Sequence, residues 1–597
     1  MTIKWAILLA LVHMIFLDGV ICFGNCPVEC SCGLDDRGRL QTICNKGNMR
    51  KFPERQIDTN VEVIRITGRG NTFTIGSLFS SFTKLEILQI TDSNVPAIGQ
   101  HSFWGVQSLR MIDLARNNIT TITDDNFRGQ DGLHELDLSG NKIHRMASGV
   151  FFHLKDLRRL NLADNSIEEL VSRTFYMLSK LKYLDLSGNS LNDLPPDVFK
   201  DITELRDLKC RRCNLKKINP QVYNILQHLS VLDLGDNELK YLEKEEFHDL
   251  KRLKQIRIDG NQLSVVIDNL FIRQKSLEFL DLSRNRLAKV TNGAFNNLTN
   301  LTHLDLSYNK LVRLDTVSVE PLKRLQHLNI SGNLQMDLID IKDTFQSLRE
   351  LRSLFVAEMG PLPMELLVPF RQLKALNLSG NHLDNALLQI LKPVTSLELL
   401  DLSRNQLNGV NAAIASKLRR IKDVILTKNP LICDVCHLGS LISVMPSVEW
   451  PTIPECFLPE SLRGASVIDI NVNALDECMD FFHDEGHDAA STSHNFLERS
   501  LLIGNLNVLA FVCGIIFVMF AAIVLISLVY YSRHRARYYT HEEKRGEAGE
   551  KSLDILTIKG NEISFKFPID DRVCTIDELV PPSPPPPPRC KAPITKE

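Results

Sequence analysis

Few residues in this 597-residue chain have the types and spacing that site chemistry demands. His483-Asp-Glu-Gly-His487 has the spacing that lets two imidazoles share one helix face and hold zinc. Aspartate stands where the general-base glutamate belongs, and Gly486 interrupts any helix, so the pair reads as chance in an acidic stretch. Gly546-Glu-Ala-Gly549-Glu-Lys551-Ser552 lacks both the spacing and the preceding strand of a phosphate-cradling loop. Cys210-x-x-Cys213 has no second pair, which makes zinc a weak reading. No acid/base constellation is present. The sequence points to binding, not to an enzyme, and implies no cofactor.

What positions side chains here is a repeat. A Leu-x-x-Leu-x-Leu-x-x-Asn-x-Leu unit is written sixteen times from Val61 to Ile421, as in Leu109-Arg-Met-Ile-Asp-Leu-Ala-Arg-Asn117-Asn-Ile119. Eleven consecutive starts, Leu85 to Leu325, are spaced by 24. A fixed period with this signature predicts an α/β solenoid: a leucine-rich repeat horseshoe with a parallel concave sheet, each coil burying its apolar face on its neighbours. Strand alternation should turn the second, third, fifth, seventh and eighth residues of each unit outwards. Asparagine at the ninth position, from Asn117 to Asn429, should satisfy backbone groups where the chain leaves the strand. Recurring phenylalanines (Phe103, Phe127, Phe151, Phe175, Phe199, Phe247, Phe271 and Phe295) should fill the convex side of the core. Cys210 and Cys213 fall on inward slots of the unit starting at Leu205 and read as free buried thiols. The period breaks between Leu325, Leu351 and Leu373, with gaps of 26 and 22 and Met359 in the asparagine slot, so a local irregularity or bend is expected there.

On the predicted concave face the fifth position yields Asp113, Asp137, Asp185, Asp233, Asp281, Asp305 and Asp401, a row read as general solubility. Against it stand six cations, Arg206, Lys209, Arg211, Arg212, Lys254 and Arg257, a candidate partner-binding patch with Asp207, Asp233 and Asp259 nearby. Asn118, Asn297, Asn300, Asn329 and Asn377 all begin Asn-x-Ser/Thr acceptors for glycans. Asn329 and Asn377 occupy fifth positions, so glycans there would project from the sheet and leave the N-terminal two-thirds for a partner.

The ends bear on compartment. Lys4, the apolar run Trp5 to Leu17 and small Gly24 read as a secretory leader over 1–24. Val508 to Val529 is uncharged for 22 residues, long enough to cross a bilayer as a helix. Tyr530, Tyr531, Arg533, Arg535 and Arg537 follow, which places the C-terminus in the cytoplasm. The expected order is leader 1–24, N-terminal cysteine cap 25–60, repeats 61–428, C-terminal cap 429–480, stalk 481–507, span 508–531 and disordered tail 532–597. In the tail, Pro584-x-x-Pro587-x-Arg589 fits the polyproline pattern taken by SH3-type adaptors. Net charge is −3, from 69 basic and 72 acidic side chains, and gives no reason to expect nucleic acid.

Cys26-Pro-Val-Glu-Cys30-Ser-Cys32 with Cys44, and Asn429-Pro-Leu-Ile-Cys433-Asp-Val-Cys436 with Cys456 and Cys478, resemble the paired caps of extracellular leucine-rich repeat proteins. With leader, repeats and span, the chain resembles transmembrane cell-surface proteins of that family. Its ectodomain is similar to those of Slit, Toll, and the tartan and capricious adhesion proteins. The resemblance implies disulfides Cys26–Cys32, Cys30–Cys44, Cys433–Cys456 and Cys436–Cys478. It also implies a single-pass receptor or adhesion protein at the plasma membrane, N-terminus outside, that binds a protein ligand or partner cell through the concave face. A non-signalling co-receptor or ligand trap is the alternative. One departure stands out: two residues, Asp434 and Val435, separate the first C-cap cysteines where the family has one.

Overall fold

The computed structural model describes residues 26–384, 390–445, 448–470, 475 and 478, all within one compact unit, Met1–Phe481. The expected leader, stalk, span and tail, with His483, His487, Pro584, Pro587 and Arg589, lie outside them. Among the described residues no helix is long and apolar enough to cross a membrane.

Each coil makes a strand of its third to fifth residues, such as Met111–Asp113, Glu135–Asp137 and Arg159–Asn161. The fourth residue, Ile112, Leu136 or Leu160 in these coils, is buried, while the third and fifth remain at least partly open. Successive strands pair in parallel at equivalent positions, Met111 with Glu135 and Glu135 with Arg159. Among the described residues sixteen such parallel strands run from Val63–Thr67 to Asp423–Ile425 in one sheet. Opposite the sheet, Phe103, Phe127, Phe151 and Phe175 form a buried file with neighbouring centroids 6.2–6.3 Å apart.

The ninth-position asparagines join coil to coil. Asn141 Nδ2 donates to Leu138 O of its own coil and to Leu114 O of the coil before, each at 2.9 Å. Its Oδ1 accepts from Ile119 N–H at 3.0 Å. The same set recurs at Asn165, Asn261, Asn285 and Asn309. The residue before each of these asparagines is left-handed, whether Gly140 (φ 65°), Asp164 (φ 51°) or Arg284 (φ 53°), because the chain leaves the strand there.

The fifth-position acids have a structural task that the solubility reading did not contain. Oδ1 of Asp113, Asp137, Asp185, Asp233, Asp281, Asp305 and Asp401 accepts the backbone N–H two residues on, at 2.8–3.0 Å. This also corrects the expectation for the seventh position, which carries that N–H. Ala115, Ala163, Ser283, Ser307 and Ser379 are buried there, not turned outwards, because the turn folds back under the side-chain oxygen of the fifth-position Asp or Asn.

The irregular stretch leaves the sheet intact. His327 pairs with Ser353 and Ser353 with Ala375, so the uneven spacing is absorbed off the sheet, by the helix Ile341–Thr344 and the turn at Gly360 (φ 85°). Asn381 Oδ1 accepts the N–H of Met359 at 2.7 Å, which keeps the asparagine bonding continuous past the missing residue.

At the N-terminal end Ser31–Leu34 pairs antiparallel with Leu40–Cys44, and disulfides join Cys26 to Cys32 and Cys30 to Cys44. At the other end Cys433 joins Cys456 and Cys436 joins Cys478. The additional residue between Cys433 and Cys436 has a use. Asp434 caps the helix Val435–Val444, accepting from His437 N–H at 2.7 Å.

Cys210 and Cys213 are not free thiols. They form a disulfide with both residues fully buried and Cα atoms 5.6 Å apart. Where the ninth residue is asparagine its amide bonds the carbonyl of the sixth residue, so in those coils the two positions meet. Where both are cysteine, a covalent bond replaces the amide. Closing so short a loop contributes about 2 kcal/mol. Cys213→Ser is therefore expected to lower stability by about that amount, measured by denaturant unfolding of the disulfide-bonded protein. Cys210→Leu with Cys213→Asn restores the usual pair and should lie within about 1 kcal/mol of the natural protein. Alkylation of unreduced, unfolded protein should label neither cysteine.

Candidate binding surface on the sheet

The six predicted cations do not form one patch. The seventh position is Ala, Ser or Gly in most coils, and two large residues interrupt it, Arg211 and Asp259, with Gly235 between them. A Cβ on Gly235 would lie 2.2 Å from the Arg211 guanidinium, so the missing side chain is what lets the arginine cross that coil. Beyond it Arg211 meets buried Asp259 and also Asp236, both at 2.5 Å, with Asp233 at 3.4 Å. Arg284 closes on Asp259 from the far side and reaches Asp236 at 3.2 Å. Burial pushes the Asp259 carboxyl up, but hydrogen bonds and charge from Arg211 and Arg284 outweigh it and hold it below the usual carboxylate range. The same bond to Asp259 raises the Arg211 guanidinium. Arg211 is thus a structural tie across coils.

The other five separate. Arg212 pairs with Asp164 at 3.0 Å and Lys254 with Glu278 at 3.2 Å, both on exposed rims. Arg257 lies 5.0 Å from the Phe279 ring centroid. Arg206 is exposed beside Asp207. Lys209 belongs to a different grouping: its Nζ is 5.1 Å from the centroid of Tyr183, and Arg159 Cζ is 4.0 Å from the same ring. The Tyr183 hydroxyl donates to Asp185 Oδ2 at 2.9 Å. Burial and then the Asp185 charge raise the phenol, which stays protonated. Burial also raises the Asp207 carboxyl, against the pull of Arg159, Lys209 and Arg206. An aromatic ring between two cations, with Asp185 and Asp207 beside it, is a composition enriched at interface hot spots. Neither Tyr183 nor Arg159 was singled out in the sequence. The signal was there in the third positions read down the chain, where charged and aromatic residues face out.

Further along the same face the third positions become Phe279, His303 and His327. Phe279 and His303 have centroids 5.7 Å apart, and the two imidazoles stack at 4.1 Å and 12°. With Phe355 and Asn329 they line a groove of about 240 Å³. Burial lowers both imidazoles below their ordinary value, with His303 and Arg352 adding to it at His327, so both are neutral at pH 7.

Of the glycan acceptors, Asn329 and Asn377 sit on the sheet at strand ends. Asn300 lies off the sheet and is half-buried, donating to Lys275 O at 2.9 Å and accepting from Arg324 at 2.8 Å. Asn297 donates to Ile272 O at 3.1 Å, and Asn118 bonds Asn94.

Arg211→Ala would leave buried Asp259 with Arg284 as its remaining cation and should cost about 2 kcal/mol at neutral pH, by chemical unfolding. A carboxyl depressed in the fold contributes fully above its unfolded value near pH 4 and loses that contribution as pH falls through the folded one. The gap between natural and R211A proteins should therefore shrink below about pH 4. Gly235→Ala should act in the same direction with a smaller effect, by pushing the guanidinium off Asp259.

The leucine rich repeat family model matches residues 83–143, 107–167, 155–215, 203–263 and 275–334. No curated protein matches the chain by sequence. Among solved structures the chain is similar to a leucine-rich repeat protein of Leptospira interrogans, at 25% identity over 64% of this chain and 93% of that one, with a TM-score of 0.52. A chain of the mouse RP105/MD-1 complex is similar at 21% identity, 71% and 76% coverage and a TM-score of 0.56. A chain of the Drosophila Toll–Spatzle complex gives 19% identity, 74% and 76% coverage and a TM-score of 0.50. The last two show the fold alone. The described residues form a parallel-sheet solenoid of leucine-rich repeats, similar in fold to Toll-like ectodomains.

Proposed function

We propose that the chain is a type I, single-pass cell-surface protein that binds a protein partner through its sheet face as a receptor or adhesion molecule. One observation carries the reading: on the sheet face Arg159 and Lys209 flank the Tyr183 ring, with Arg159 exposed. Tyr183 and Lys209 are half-buried, and the three are tied to one another and to Asp185, which accepts from the Tyr183 hydroxyl and lies 3.9 Å from Lys209 Nζ. Similar solenoids are described in complexes with other proteins, RP105 with MD-1 and Toll with Spatzle, which fits a recognition role. The leader and the uncharged run 508–529 supply the compartment and the anchor. The Pro584-x-x-Pro587-x-Arg589 motif supplies a contact for an SH3-type adaptor inside the cell.

The full chain on intact cells tests this. An N-terminal tag should be accessible to antibody without permeabilisation and a C-terminal tag should not. Proximity labelling should then recover a cell-surface or secreted partner. Tyr183→Ala at equal surface level should weaken that partner by tenfold or more, on the order of 2 kcal/mol for a hot-spot side chain. An unaffected partner, or none, would reject the reading. Deleting residues 532–597 should abolish any cellular response while leaving binding intact.

A further inference from the structure

The His303–His327 groove is lined mainly by aromatic rings and imidazoles with one carboxylate, Asp305, and its wall contains a modification signal. Asn329 lines the groove and begins Asn329-Ile330-Ser331. Its Oδ1 accepts from Ser331 N–H at 3.1 Å and its Nδ2 donates to Asp305 Oδ2 at 2.9 Å. A side-chain amide carries two N–H groups, so one can hold Asp305 while the other is the point of attachment. The rest of the groove is suited to a sugar. Phe279, His303, His327 and Phe355 present ring faces and edges to it, and the C–H face of a pyranose packs on such surfaces. Asp305 and the neutral imidazoles offer partners to the sugar hydroxyls. Among the imidazole nitrogens, His303 Nδ1 is engaged by Thr302 Oγ1 at 2.8 Å.

We propose that Asn329 carries an N-linked glycan whose first sugars fold back onto the Phe279–His303–His327 ladder and fill this groove. The transfer takes place on the nascent chain, from a lipid-pyrophosphate-linked oligosaccharide. The Asn329 Nδ2 loses one hydrogen and bonds the anomeric carbon of an N-acetylglucosamine, whose bond to the pyrophosphate breaks. Folding then buries the attached sugar against the rings. This rests on the secretory reading above and deepens it: the glycan closes the C-terminal part of the sheet face and leaves the Arg159–Tyr183–Lys209 region for the partner.

The test uses the full chain made in glycosylating animal cells. Site occupancy is read by glycopeptide mass spectrometry, and glycan release by a peptide-N-glycosidase is followed on native and unfolded protein. Asn300, half-buried like Asn329 but off the sheet and away from the ring-lined groove, is the internal control. Both sites should be occupied, and release from native protein should be about tenfold slower at Asn329 than at Asn300, with the difference gone after unfolding. Phe279→Ala combined with His327→Ala should bring the two native rates together. A glycan at Asn300 with none at Asn329, or equal native rates in the natural protein, overturns this inference and leaves the partner-binding reading standing. Absence of glycan at both sites overturns the secretory reading and this inference together. Asn329→Gln should leave partner binding through Tyr183 unchanged, which separates the two surfaces.

Discussion

Everything in the described solenoid depends on one amide satisfying three backbone groups in two coils. A coil cannot close its own turn: the chain leaves the strand through a left-handed residue and strands carbonyls and N–H groups in an apolar interior. The ninth-position asparagine supplies two donors and an acceptor in one planar group, directed at its own coil and the coil before. Since each unmet buried group would cost about 1–3 kcal/mol, the file of asparagines makes coils interdependent instead of merely stacked. Two departures illustrate the constraint. Where Met359 replaces the amide, Asn381 reaches back to the Met359 N–H, and where Cys213 replaces it, a disulfide to Cys210 takes over.

The same turn determines which surface residues can bind. The fifth-position carboxylate is drawn into bonding the backbone two residues on, which makes the acidic row part of the scaffold. The seventh position is folded under it and restricted to small residues. Arg211 and Asp259 violate that restriction together, and the exception is tolerated because Gly235 leaves room for the guanidinium to cross. A cation that looks like a ligand contact in one dimension is consumed by the fold in three. What remains for recognition is mostly the third position, and there the residues change along the chain, from Arg159 and Tyr183 to Phe279, His303 and His327.

Those two stretches have different physical characters. Around Tyr183 the surface is a phenol between cations with carboxylates beside it, suited to a partner with mixed polar and aromatic contacts. Around His303 it is ring-lined and grooved, with the Asp305 carboxylate and an acceptor asparagine in its wall. A single sheet can therefore carry a binding region and a glycan-covered region, separated by several coils, without any change in backbone.

Much was legible in the sequence because a repeat states its own geometry. The spacing of 24, the leucines, the asparagines and the phenylalanine file specify parallel strands, an inward core and an opposite apolar edge, since a period-matched pattern has one way to bury itself. The break between Leu325 and Leu373 was visible too, but not that the sheet would run through it in register. Side-chain partners between coils were not legible. The Cys210–Cys213 bond, the Arg211–Asp259 tie over Gly235, the Tyr183 cluster and the imidazole stack join residues 24 or 48 apart, or turn on how tightly one turn folds. Periodicity fixes which slot a residue occupies, because that follows from local backbone geometry. Only the stacked coils decide what each slot touches, because those contacts depend on the identity of the neighbours above and below.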